Sequence, residues 1–87
     1  MDDGRPALRK GVYLQQKPEG FLLMMPEGYM ELDQTAWEIL NMCNGRNTVE
    51  MIVAAMAERY EGDPEIIRTD VLEMLEEIRQ DGLLEYR

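Results

Sequence analysis

The chain contains no histidine and only one cysteine, and these two shortages exclude several kinds of site. Histidine is the usual general base at neutral pH and the commonest metal ligand, so neither an acid–base enzyme nor a metal site is expected. The single cysteine, Cys43, cannot form an internal disulfide and has no imidazole to activate it. It lies on the apolar stripe of a predicted helix, which is typical of a structural thiol. We therefore predict a protein that is not an enzyme and needs no cofactor.

Long apolar runs are absent as well. Phe21–Met25 has five residues and the longest run, Met51–Ala57, has seven, whereas about 20 are needed to cross a bilayer. The acidic N-terminus lacks the basic and apolar regions of a secretory signal. Together with the lone thiol, these features predict a cytoplasmic protein that does not enter a membrane.

Positive charge is scarce, with nine Lys and Arg residues against 18 Asp and Glu and a net charge of −9. The imbalance is greatest in residues 49–87, which hold four basic and eleven acidic residues. Such a surface neutralises phosphates poorly, so nucleic acid and anionic membranes are not expected as partners. A neutral or partly basic protein or peptide suits it better.

The length and the hydrophobic content of 45% predict one folded domain over residues 1–87. Its core would be thin enough for a partner or a homodimer to matter. Residues 1–10 are predicted to form a polar N-terminal arm, in which Pro6 biases Arg5 toward extended geometry.

Three short runs with strand character come next, separated by two turns. The runs are Val12–Gln15, Phe21–Met25 and Tyr29–Leu32. Each turn contains a proline, which presets its own φ, and ends in a glycine, which tolerates positive φ. This order predicts an antiparallel meander of three strands. A short extended tail, Leu83–Tyr86, is compatible with a fourth strand.

Three segments with helical periodicity follow the meander. Their predicted N-caps are Asp33, then either Asn47 or Thr48, then Asp63. The apolar stripes comprise Ala36, Trp37, Ile39, Leu40 and Cys43 in the first helix, Val49, Ile52, Val53, Met56, Ala57 and Tyr60 in the second, and Ile67, Val71, Met74, Leu75 and Ile78 in the third.

The element order predicts an α+β fold in which a three-stranded antiparallel sheet is followed by three helices. A second helix, a short turn and a third helix beside a small sheet resemble a winged helix-turn-helix. That architecture is commonest in DNA-binding proteins, and the acidic charge argues against DNA binding here. Recognition of a protein or peptide fits the composition better.

An ordered set of residues carries a resemblance to one family. The set is Leu23, Pro26-Glu27-Gly28, Leu32, Ala36, Ile39-Leu40, Cys43-Asn44-Gly45, Thr48-Val49, Ile52, Tyr60, Asp70-Val71, Leu75 and Gly82-Leu83-Leu84. The chain resembles PqqD, the pyrroloquinoline quinone biosynthesis protein D family, from about Leu8 to Leu84. Asn44 departs from the family pattern, which typically has Asp before this glycine.

The resemblance implies a recognition element for ribosomally made, post-translationally modified peptides (RiPPs). Such a peptide chaperone binds the leader of a precursor peptide and presents the precursor to a modifying enzyme, which in the quinone pathway is a radical SAM protein. In the family the leader adds as a strand to the third strand and lies against the third helix. Carried over to this chain, the implied peptide-binding residues are Tyr29, Met30, Glu31, Leu32, Arg68, Val71, Leu72, Leu75 and Arg79.

The helical spacing also bears on this site, because Leu72, Arg68 and Arg79 form a second face of the third helix, away from its apolar stripe. We expect the two arginines to attract acidic leader residues.

Two other functions stay open: a winged-helix transcription regulator, which would need a basic recognition helix, and a structural dimerisation module. The sequence also leaves open the precursor, the modifying enzyme, whether the product is pyrroloquinoline quinone, and the oligomeric state.

Overall fold

The computed structural model describes residues 4–87, which fold into five strands and three helices. The strands are β1 (Pro6–Leu8), β2 (Tyr13–Lys17), β3 (Gly20–Met25), β4 (Gly28–Leu32) and β5 (Leu84–Tyr86). The helices are α1 (Gln34–Asn41), α2 (Val49–Arg59) and α3 (Pro64–Gln80). The predicted α+β class, with a three-stranded antiparallel sheet followed by three helices, is confirmed.

The meander β2-β3-β4 has β3 at its centre, so β2 and β4 are both edge strands. One row of the register runs across the sheet from Leu14 through Leu23 to Met30. Leu23 is fully buried, and the other two side chains of this row are half-buried against the core. The other face of the sheet, which carries Leu22 and Met24 of β3, remains open.

Each helix begins at a side chain that accepts a backbone N–H, as the sequence predicted. Asp33 accepts the amide of Ala36 at 2.8 Å, and Asp63 accepts that of Glu65 at 2.9 Å. Of the two alternatives for α2, Thr48 is the cap. The Asn47 side chain donates instead to the carbonyl of Met42 at 3.0 Å, which ties the α1–α2 loop to the end of α1.

The prediction of a polar arm over residues 1–10 is wrong for the part that the structure describes. Residues 1–3 lie outside that part, but Pro6–Leu8 form β1, which pairs antiparallel with β5. Pro6 and Ala7 are buried. On its other side, β1 bonds to the loop after α1, since Leu8 donates to Cys43 at 3.3 Å and Pro6 accepts from Gly45 at 3.0 Å. Proline is tolerated here because only its carbonyl is used.

One hydrophobic core joins the sheet, the helices and β5. The largest fully buried side chains include Leu23, Leu40, Ile52, Leu75 and Leu83. Cys43 is part of this core, and burial raises the pKa of its thiol to about 12. The thiol therefore stays protonated at neutral pH, which agrees with a structural role. Within residues 4–87 no helix is both long enough and apolar enough to cross a membrane.

Candidate functional site

The outer edge of β4 is the first part of the candidate site. Because β4 is the last strand of the meander, β3 pairs with one of its sides only. In the described part of the chain, no strand pairs with the other side. An open edge of this kind presents backbone N–H and C=O groups to a further strand.

The register shows which backbone groups of β4 point outward. The two-residue turn Pro26-Glu27 is closed by the pair Met25 and Gly28, whose backbone groups face each other. In an antiparallel pair the hydrogen-bonded positions then alternate, so Gly28, Met30 and Leu32 bond to β3. The N–H and C=O groups of Tyr29 and Glu31 consequently point away from the sheet.

The other hairpin supports this assignment. Its two-residue turn Pro18-Glu19 is closed by Lys17 and Gly20, which directs every second residue of β3 from Gly20 onward toward β2. The intervening residues, Phe21, Leu23 and Met25, are therefore the ones that bond to β4. These three are the register partners of Leu32, Met30 and Gly28.

The side chains of β4 alternate between the two faces of the sheet. Met30 and Leu32 lie on the inner face, where both are half-buried against the core. Tyr29 and Glu31 lie on the outer face and are exposed, Tyr29 by 63%. The same two residues thus offer both free backbone groups and free side chains.

The second part of the candidate site is the exposed face of α3. Leu72 is 44% exposed, as expected from its position away from the apolar stripe. It lies between Arg68 and Arg79 on that face. The inner side of α3 enters the same core against which Met30 and Leu32 pack. The core therefore holds β4 and α3 in one fixed arrangement.

Two of the residues implied by the family resemblance do not belong to an exposed site. Val71 and Leu75 are 1% and 0% exposed and lie in the hydrophobic core. Both belong to the apolar stripe of α3, and in this structure they support its exposed face from beneath. Their contact with a peptide stays a prediction.

Both arginines of the candidate site already have carboxylate partners. Arg68 makes two hydrogen bonds to Glu50 of α2, one of them from Nη2 to Oε1 at 2.7 Å. Arg79 donates from Nε to Oε1 of Glu76 at 3.0 Å on the same helix. Hydrogen bonds from the arginines lower the pKa of each glutamate below its ordinary value of 4.5. An acidic ligand would have to displace these glutamates, which weakens the expectation of an acidic leader.

Sequence reasoning missed the outer face of the meander. An open depression of about 550 Å³ lies there and is lined in part by Leu22, Met24, Tyr29 and Glu31. One row across this face joins Tyr13, Met24 and Tyr29. The signal was present in the alternation of the three strands, since every second residue of each strand shares one face.

Among residues 4–87, no group of three His, Cys, Asp or Glu side chains is arranged to hold a metal ion. The open edge of β4 supports backbone hydrogen bonding to an added strand, flanked by apolar and charged side chains. This arrangement defines a small α+β domain that has an open sheet edge on β4 and an exposed helix face on α3.

Solved structures share this fold. The solution NMR structure of the PqqD truncation of Methylobacterium extorquens PqqCD, described as a stand-alone RiPP recognition element, is 36% identical with a TM-score of 0.80. The match covers 92% of this chain and 87% of that one. Lasso peptide synthetase B1 complexed with its leader peptide has a TM-score of 0.82 over 93% of this chain and 98% of that one. Its identity is 18%, so this second likeness shows the fold alone.

The sequence comparisons are more specific than the fold. The profile of the family described as Coenzyme PQQ synthesis protein D (PqqD) matches residues 20–84. A PqqA binding protein of Pseudomonas paraeruginosa strain PA7 is 41% identical over 78 residues, which cover 85% of this chain and 82% of that protein. The chain belongs to the PqqD family.

A longer relative contains the same domain. The bifunctional coenzyme PQQ synthesis protein C/D of Methylorubrum extorquens is 37% identical over 82 residues. The match covers 92% of this chain, but this chain spans only 22% of the length of that relative. The likeness therefore concerns one part of the bifunctional protein.

Proposed function

We propose that this protein binds the leader of a ribosomally made precursor peptide and presents that peptide to a radical SAM modifying enzyme. The observation that carries the proposal is the open edge of β4, where the backbone groups of Tyr29 and Glu31 point outward. An extended peptide can add to such an edge as a further strand, with affinity from backbone bonds and specificity from side-chain contacts. Leu72 offers a further apolar contact on the exposed face of α3.

The relatives suggest which precursor to try first. A relative that is 41% identical is named for binding PqqA, so a PqqA-type precursor is the first candidate ligand. The complex of lasso peptide synthetase B1 with a leader peptide is a further example of this fold in such a complex. The proposal therefore includes the peptide as substrate of a partner enzyme, with no catalysis by this chain itself.

The remaining parts of the proposal follow from the arrangement of the elements and the charge. The pair α2 and α3 beside the meander supports the description as a winged helix-turn-helix. The net charge of −9 supports a peptide partner in the cytoplasm in preference to nucleic acid or an anionic membrane. In a homodimer, the second open edge, on β2, could pair without covering β4.

The proposal is tested by titrating the isotope-labelled protein with the synthetic PqqA precursor of Pseudomonas paraeruginosa. We expect saturable NMR shift changes for the amides of β4 and for Leu72, and slower hydrogen exchange at Tyr29 and Glu31. The same precursor without its leader serves as the control and should not bind. Shift changes confined to β1 and β5 would contradict the proposed site.

A further inference from the structure

Glu31, the charged residue of β4, forms no ion pair with any residue that the structure describes. Within residues 4–87, the ion pairs at 4.0 Å or less involve Glu38, Glu50, Glu76 and Glu85, and not Glu31. The register row that crosses the sheet from Glu31 contains the uncharged residues Leu22 and Gln15. The negative charge at this edge is therefore not offset within its row.

The arginines of the site present the opposite case. Arg68 and Arg79 each form an ion pair with a glutamate, so their positive charges are largely neutralised locally. The charge that an incoming strand meets at the edge of β4 is therefore negative. The net charge of −9 over the whole chain acts in the same direction.

The geometry determines where a ligand side chain would meet Glu31. Residues directly opposite each other on neighbouring strands project to the same face of a sheet. A peptide residue opposite Glu31 therefore projects to the outer face, beside the Glu31 carboxylate. The residues before and after it lie opposite Met30 and Leu32 and project to the inner face, on the side of the core.

On this basis, and resting on the proposed function, we propose that the protein recognises side chains on both faces of the added peptide strand. The recognised segment has an apolar residue, a basic residue and a second apolar residue in succession. The basic residue pairs with Glu31 on the outer face. The two apolar residues lie beside Met30 and Leu32 on the inner face.

The test uses a displayed library of 12-residue peptides with every position randomised, selected in parallel against three proteins: the wild type, Glu31→Lys and Glu27→Lys. Glu27 lies in the exposed turn before β4, so Glu27→Lys changes the net charge equally and serves as the matched control. We expect a basic residue between two apolar ones in the peptides selected by the wild type and by Glu27→Lys. Glu31→Lys should select an acidic residue at that same position.

Single peptides then measure the pairing. Replacing the selected Lys by Glu should weaken binding to the wild type by about 1.4- to 5-fold for the lost cross-strand ion pair, and further for the like charges that then face each other. The exchange should strengthen binding to Glu31→Lys by a similar factor. Equal affinities of the two peptides for both proteins would overturn the pairing.

A third variant separates failure of this inference from failure of the proposed function. Glu31→Pro removes an outward backbone N–H, so the selected peptides should bind it weakly. If they bind Glu31→Pro normally, strand addition at β4 is wrong, and the proposed function is wrong with it. If they require the edge but show no charge reversal with Glu31→Lys, only the pairing with Glu31 is wrong.

Discussion

The strands β1 and β4 are both short and both lie at the surface, yet their backbones are used differently. β1 bonds to β5 on one side and to the loop from Cys43 to Gly45 on the other. Among the strands that the structure describes, β4 bonds to β3 alone and on one side only. Natural proteins usually protect a free strand edge, because it can pair with other chains. In this protein β1 is hydrogen-bonded on both sides, whereas the outer edge of β4 is left open. This difference indicates that a ligand uses the β4 edge.

Glu31 opposes self-association of the protein through this open edge. If two copies of the protein paired antiparallel through β4, the two copies of Glu31 would come close together. Like charges on neighbouring strands are destabilising. The same carboxylate that we propose to select a basic ligand residue therefore opposes self-association at that edge.

The largest expected effect on stability concerns α3, which has one buried side and one exposed side. Leu75→Ala should lower the free energy of unfolding by about 2–5 kcal/mol, because a fully buried leucine is truncated. Leu72→Ala should leave stability nearly unchanged while weakening peptide binding. Chemical denaturation and calorimetry with the peptide measure the two effects. A large loss of stability in Leu72→Ala would place Leu72 in the core.

A smaller effect distinguishes two neighbouring residues of β4. Met30→Pro removes an N–H that bonds to β3 and leaves a carbonyl of the sheet without its partner, at a cost of about 1–3 kcal/mol. Glu31→Pro removes an outward N–H, so it should keep the fold and lose peptide binding. Circular dichroism and peptide affinity are measured for both variants. The assignment of the free edge fails if the stability losses are reversed or if folded Glu31→Pro binds the peptide normally.

The smallest effect concerns the ion pair that joins α2 to α3 beside the open site. The hydrogen bond from Arg68 lowers the pKa of Glu50 below its ordinary value of 4.5. The ion pair therefore stabilises the folded protein at pH values above 4.5, and this stabilisation is lost as the pH falls through the lowered pKa. The variant Glu50→Gln should therefore have a slightly lower melting temperature than the wild type at pH 7. This difference should shrink at pH 3. A difference that is the same at both pH values would exclude a stabilising role for the charge pair.

The parts of the fold that depend on local chemistry were predictable from the sequence. Asp33 and Asp63 were identified as N-caps because a cap acts on amides two or three residues away. β1 was not predictable in this way. Its three residues show no clear alternation, and its partners lie about 40 and 80 residues further along the chain. The sequence of residues 1–10 therefore indicates an arm, and the tertiary contacts make Pro6–Leu8 a strand.

The candidate site was predictable in part. The positions on β4 came from the family resemblance, but the direction of each N–H required the register, which depends on the turns having two residues. The resemblance also implies Val71 and Leu75, although their place in the apolar stripe indicates burial. The pair Glu76–Arg79 has the i,i+3 spacing that favours an ion pair within a helix. The pair Glu50–Arg68 joins two helices, and no local pattern predicts it.

The ribbon of β1 and β5 has a consequence for how this domain can be joined to other proteins. The backbones of Arg5 and Arg87 are bonded to each other in both directions at 2.9 Å. A polypeptide attached before residue 5 and one attached after residue 87 would therefore leave the domain at the same point. Splicing the domain into a surface loop of another protein would require little separation of the two ends of that loop, and the β4 edge would not be part of the junction.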